Sequence, residues 1–341
     1  MPAFTPARVL SAGFHQDVIR PLLGSVSYAA GLLGWGSDVL GYDTDRSMDH
    51  GWGPRLSIFV DADEVERITK LVDAGLPEQY RGHEVRFGWD TQEPTHHISV
   101  STLGQWLIGH LGVDAEAGMT TRDWLTTPQQ QLLGVVAGEV YADDGRLARV
   151  RDALRWYPDD VWYWMLACQW QRLAQEEPFV QRTAEVGDEL GSAVVAARLA
   201  RDMMRLALLT ARRYAPYTKW LGAAFARLDN SDRLDQALLQ AMAAQTLADR
   251  EQALSRAYKA LARRHNALGL TGPVDESVRQ FHDRPAMVLG AARFADAWLA
   301  KVQDPWLREL VRLGAIDQFA DNSDLLSDPP TYRRLMAVYE E

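Results

Sequence analysis

The residues with the greatest chemical potential crowd into one stretch, "GWGSDVLGYDTDRSMDHGWGPR", residues 34–55, directly before the apolar run "LSIFV". Gly34 and Gly36 precede Ser37, and Asp38, Asp43, Asp45, Asp49 and His50 follow. Glycine lets backbone N–H groups approach a phosphate closely, so Gly36 and Ser37 could cradle one without a cationic side chain. Carboxylates two apart on a strand point to one side and can share Mg²⁺ ions, which neutralise charge as an attack on phosphorus proceeds. The stretch lacks the Gly-Lys-Ser/Thr ending of a P-loop and is not a dinucleotide fingerprint.

The elements that must position these residues fall into two textures. Over residues 1–125, "PARVLSAGFHQDVIRPLL" and "ADEVERITKLVDAG" have helical spacing, whereas "PRLSIFV", "HEVRFGWD" and "HHISVSTL" read as strands. Strands interleaved with helices predict a small mixed α/β domain. Beyond residue 125 strand signals stop, and "DVWYWMLACQWQRLAQEE", "VGDELGSAVVAARLARDMMRLALLTARR", "DRLDQALLQAMAAQTLA", "DREQALSRAYKALARRH" and "PAMVLGAARFADAWLAKV" all have helical period. Residues 126–341 therefore read as one larger, all-α domain. The expected fold class is α+β.

Composition narrows the class of protein. At 341 residues, with 47% hydrophobic and 24% charged residues, the chain is expected to be globular with two domains. Its formal charge of −10 argues against a nucleic-acid partner. Cys168 is the only cysteine, which excludes an intrachain disulfide or a cysteine-based zinc site. No apolar run approaches the ~20 residues of a membrane helix, and no signal peptide is evident, so no membrane partner and a cytoplasmic location are expected. The oligomeric state is not legible.

Ser37 precedes Asp49 by twelve positions, with "RLSIFV" shortly after. This spacing resembles the polymerase-β-type nucleotidyltransferase pattern, in which Gly-Ser stands ahead of a strand bearing Asp-x-Asp/Glu. "GSDVLGYD", "DHGWGPR", "VGDELGS", "RRYAPYTKWLGAAFARL", "HNALGLT" and "IDQFADNSD" also resemble a bacterial family known only as a domain of unknown function, placed near small-molecule nucleotidyltransferases. The resemblance implies a nucleotidyltransferase-like domain over 1–125, Mg²⁺ as cofactor, and ATP or another NTP as substrate. It assigns Asp49 and Asp38 to the metal, with Asp49 also catalytic, and Gly36 and Ser37 to the phosphates. The sequence departs from the pattern at two ligand positions, where Gly51 and Ser99 stand in place of carboxylates. His50 and His97 are nitrogen donors ill-suited to Mg²⁺.

In such enzymes the helical domain supplies acceptor contacts and a general base. Gln169, Arg172 and Glu176 share one helix face, and Arg198, Arg201, Arg205 and Arg212 form a stripe on another. Such stripes are commonly the solvated side of a helix. Read functionally, Arg172, Arg201 and Arg205 hold phosphate oxygens, for which a guanidinium is well shaped, and Glu176 or Glu177 deprotonates the acceptor. In "RRYAPYTKW", Pro216 marks a helix junction that places Tyr217 and Lys219 as further nucleotide contacts. The expected activity is Mg²⁺-dependent transfer of a nucleoside monophosphate to a small-molecule acceptor. The alternative is a nucleotide-binding protein without turnover, a reading motivated by Gly51 and Ser99.

Overall fold

Apolar residues at helical spacing near the start form α1 (Ala7–Phe14), which continues through a π turn at His15–Ile19 into Arg20–Leu23. Gly24, in the left-handed region at φ 57°, ends this segment. The chain then enters β1 (Ala29–Leu32), a short α2 (Ser37–Leu40), β2 (Arg55–Phe59) and α3 (Val65–Gly75). β3 (Arg86–Phe87) and β4 (Thr95–Ser101) follow, then α4 (Leu103–Leu111). After them come α5 (Gln129–Val136), β5 (Glu139–Ala142) and α6 (Arg146–Ala153). The computed structural model describes residues 4–49, 52–88 and 93–340.

Five strands make one mixed sheet in the order β3-β4-β2-β1-β5, with β2 and β4 parallel and the other pairs antiparallel. Helix α3 lies in the connection between the parallel strands β2 and β4, which a hairpin cannot join. Leu10 and Phe14 of α1, Ile68 and Val72 of α3, Leu56 and Ile58 of β2 and Ile98 of β4 bury together in one core. Each fully buried side chain of this kind stabilises by roughly 1.5–3 kcal/mol. Since side chains alternate across a strand, the residues between them, Arg55, Ser57, His97 and Ser99, face the other way.

The chain divides into two units. The first runs up to Asp123 and adds Gln129–Arg155 and Ser327–Arg334; the second comprises Trp124–Pro128, Trp156–Leu326 and the chain from Leu335. The first unit thus extends beyond residue 125, because β5 pairs with β1, setting Gly31 opposite Val140 and Leu32 opposite Glu139. Four residues carry too few alternations to announce a strand, so this one is set by its partner.

The second unit is helical: α7 (Asp159–Glu176), α8 (Phe179–Glu185), α9 (Glu189–Thr210), α10 (Thr218–Ala226), α11 (Leu234–Ala243), α12 (Leu247–Ala267) and α13 (Ala292–Leu299). Trp162, Trp164 and Trp170 make α7 apolar around most of its circumference, and all three are fully buried. Trp170 stacks on Phe294 with ring centroids 4.5 Å apart. The helix expected over "PAMVLGAARFADAWLAKV" begins only at Ala292. Ahead of it, Met287–Val288 pairs with Arg279–Gln280, and the Glu177 carboxylate accepts the amides of Leu289, Gly290 and Ala291 at 2.7, 3.2 and 2.9 Å. Gly290, at φ 72°, cannot continue a right-handed turn there. Cys168 is buried, which pushes its thiol well above the ordinary range and leaves it unreactive.

Among the described residues, no helix is long and apolar enough to cross a membrane.

Candidate functional site

Parallel pairing sets Arg55 beside His97, Ser57 beside Ser99 and Phe59 beside Ser101. On this side of the sheet lies a cavity of about 460 Å³, lined by Gly34 and Trp35 from the turn after β1, by Arg55, Ser57, His97 and Ser99 from the strands, and by Trp106 and His110 from α4. The Ser99 hydroxyl donates to Ser57 Oγ at 3.0 Å.

Trp106 and His110 occur four residues apart, so they share a face of α4. Their rings stack 4.8 Å apart and 17° from parallel, while Trp106 meets Phe59 at 5.5 Å and 63°. His110 Nε2–H donates to the Gln131 carbonyl at 2.9 Å. Burial lowers the His110 pKa to about 4, so the ring is neutral in the folded chain. The close approach of α5 requires Gly134, where a Cβ would meet His110 Nε2. Burial also lowers the pKa of His97, more than its bond to the Phe87 carbonyl, at 3.0 Å, raises it. The cavity thus combines aromatic walls, neutral imidazoles and hydroxyls.

The turn at the cavity's edge is held from two sides. Arg55 spans the Asp38 carboxylate, with Nε to Oδ2 at 2.7 Å and Nη2 to Oδ1 at 2.8 Å, and also donates to the Trp35 carbonyl. Arg8 donates to the carbonyls of Asp38, Val39 and Ala137 at 3.1, 2.5 and 3.1 Å. Gly36 sits at φ 130°, a conformation essentially reserved for glycine. A Cβ on it would enter the Asp38 carboxylate and the Arg55 guanidinium.

The structure distributes the expected site residues as follows. Gly36 and Ser37 lie beside the cavity, but Gly34 and Trp35 line it. Asp38, expected on a metal, is 7% exposed and gives both oxygens to Arg55. Asp43 accepts from the Ala7 amide at 2.7 Å, and Asp61 pairs with Arg146 at 3.1 Å. Asp49 ends the 3₁₀ turn Asp45–Asp49, but its side chain, with His50 and Gly51, lies outside the described residues. Among the described residues no three His, Cys, Asp or Glu side chains converge as a metal site. Among the described residues, the two serine hydroxyls and the carboxylate held by arginine offer no unengaged anionic oxygen of the kind Mg²⁺ prefers.

The remaining candidates belong to the second unit, most of them in ion pairs. Arg172 pairs with Asp202 at 3.2 Å, Arg201 with Asp321 at 2.9 Å and Glu176 with Arg198 at 2.6 Å. Arg205 donates to the Asp317 carbonyl, and burial lowers its pKa. The second oxygen of Glu176, Oε2, is buried with no hydrogen-bond partner among the described residues. Tyr217 directly precedes α10, and burial raises its pKa; Lys219 lies 5.1 Å over the Trp220 ring. Trp35, Ser57, Trp106 and His110 were not singled out from the sequence. For Trp106 and His110 the signal was their four-residue spacing in "GQWLIGH".

Residues 124–221 match the family described as "Domain of unknown function (DUF4037)", so the expected kinship to a domain of unknown function holds over that segment. Among solved structures, the chain is similar to a nucleotidyltransferase-like protein from Exiguobacterium sibiricum 255-15, at 12% identity and a TM-score of 0.33, over 89% of this chain and 91% of that one. No curated protein matches.

Proposed function

We propose that the chain is a nucleotidyltransferase-like protein that binds a nucleotide in the first unit without metal-dependent turnover. The Ser57–Ser99 hydroxyl pair carries this reading, because it occupies the centre of paired strands where the transferase pattern has a metal carboxylate on the later strand. An apolar pocket with a few convergent polar groups is the usual form of a small-molecule site, and the stacked Trp106–His110 pair offers a flat wall for a base. Among the described lining residues Arg55 supplies a guanidinium, on the same strand as Ser57.

Calorimetric titration of the full chain with ATP, with and without Mg²⁺, tests the reading. The expected result is binding of similar strength in both conditions, weakened at least tenfold by Trp106→Ala, with no pyrophosphate released. Binding that requires Mg²⁺, or release of pyrophosphate on adding candidate acceptors, overturns it in favour of the second reading. That second reading is Mg²⁺-dependent nucleotide transfer with Asp49 on the metal.

A further inference from the structure

In the second unit, α11 and α12 lie side by side with a groove of about 390 Å³ on their outer surface. Arg256, Lys259 and Arg263 of α12 line one wall at helical spacing, so the three cations share a face. Gln236 and Gln240 of α11 line the other wall, and Arg233 closes one end. The chain has only four lysines and carries a formal charge of −10, yet four cations meet here.

Their charges are poorly compensated. Arg233 and Lys259 have no ion-pair partner among the described residues, and Arg256 bonds only the neutral Gln240, at 2.8 Å. Arg263 reaches Glu276 at a loose 3.6 Å. The carboxylate in the lining, Asp232, is claimed by Arg264 through two bonds of 2.6 and 2.8 Å. Arg233 itself adopts φ 62°, a strained conformation for a residue with a Cβ, held by its backbone N–H donating to the Asn230 carbonyl at 2.8 Å. Like charges three and four residues apart on a helix destabilise it, so this arrangement works against the fold.

We propose that this groove is a binding site for a compact polyanion carrying two or more phosphates. The lining contains no aromatic side chain among the described residues, so the ligand is recognised by its charge. Guanidinium groups suit phosphate oxygens, and the two glutamine amides add neutral donors between them. A concave site of this size takes a small molecule, while the acidic chain repels an extended nucleic acid.

Inorganic orthophosphate, pyrophosphate and tripolyphosphate, titrated calorimetrically into the full chain at low salt, test the assignment. Affinity should rise with phosphate number, fall as salt increases, and drop at least tenfold in Arg256→Gln with Lys259→Gln. That double variant should also melt at a higher temperature than the parent without ligand, because its like-charge repulsion is relieved; a merely structural role for these cations predicts the reverse. The proposal is overturned if tripolyphosphate fails to bind at millimolar concentration, binds the double variant equally well, or binds no better than single-stranded DNA of matched charge.

Discussion

Ser57 and Ser99 face each other across parallel strands, with their hydroxyls 3.0 Å apart and no carboxylate among the described lining residues. A hydrogen bond between a buried hydroxyl, that of Ser57, and one on the exposed Ser99 makes a specific energetic statement. Removing the Ser99 hydroxyl strands the buried one of Ser57, whereas removing that of Ser57 leaves an exposed hydroxyl that water satisfies.

Ser99→Ala should cost about 1 kcal/mol, Ser57→Ala less, and the double variant no more than Ser99→Ala alone. Denaturant midpoints in a double-mutant cycle measure this. Simple additivity would show that the two hydroxyls do not depend on each other.

Arg55 and Asp38 should be coupled more strongly. Arg55→Ala leaves a carboxylate that is nearly buried without its partner, at an expected loss of about 3 kcal/mol. Gly36→Ala should be comparably harmful, since the new methyl group collides with the same pair. If Gly36→Ala weakened ATP binding while leaving the melting temperature unchanged, Gly36 would be a ligand contact and not a structural glycine.

Acid should destabilise both units through buried neutral imidazoles. Burial lowers the pKa of His110 and of His265 to about 4, against 6.5 when unfolded. A depressed histidine pKa contributes stability that is complete above pH 6.5 and lost as the pH falls towards 4, by roughly 3 kcal/mol for each ring. Melting temperatures between pH 7.5 and 4.5 should therefore decline steeply below 6.5. His110→Gln should start less stable at pH 7.5 and decline less; an unchanged slope would assign the acid sensitivity elsewhere.

Glu177 should hold the start of α13. Glu177→Gln keeps the shape but turns an amino group towards a backbone donor, so it should cost about 2 kcal/mol. Hydrogen exchange at Leu289, Gly290 and Ala291 should accelerate more than in the core of α7. Exchange that rises equally everywhere would indicate global destabilisation without a local role for this carboxylate.

Periodicity alone determined much of the architecture. The spacing of Leu10, Phe14, Ile68 and Val72 required amphipathic helices, the branched residues of "RLSIFV" and "HHISVS" required strands, and the tryptophans of α7 required a buried helix. These features follow from local contacts, which sequence spacing records directly.

The tertiary structure decided what those features do. Asp38, expected on a metal from its place beside Ser37, has Arg55, seventeen residues away, on both of its oxygens. β5 became a strand because β1 offered an edge, and "PAMVLGAARF" lost its first helical turns because Glu177 took the amides. Ser57 and Ser99 form a pair only through a strand register spanning 42 residues. In each case the deciding partner lies far along the chain, and composition and spacing carry no record of which distant groups folding will bring within bonding distance.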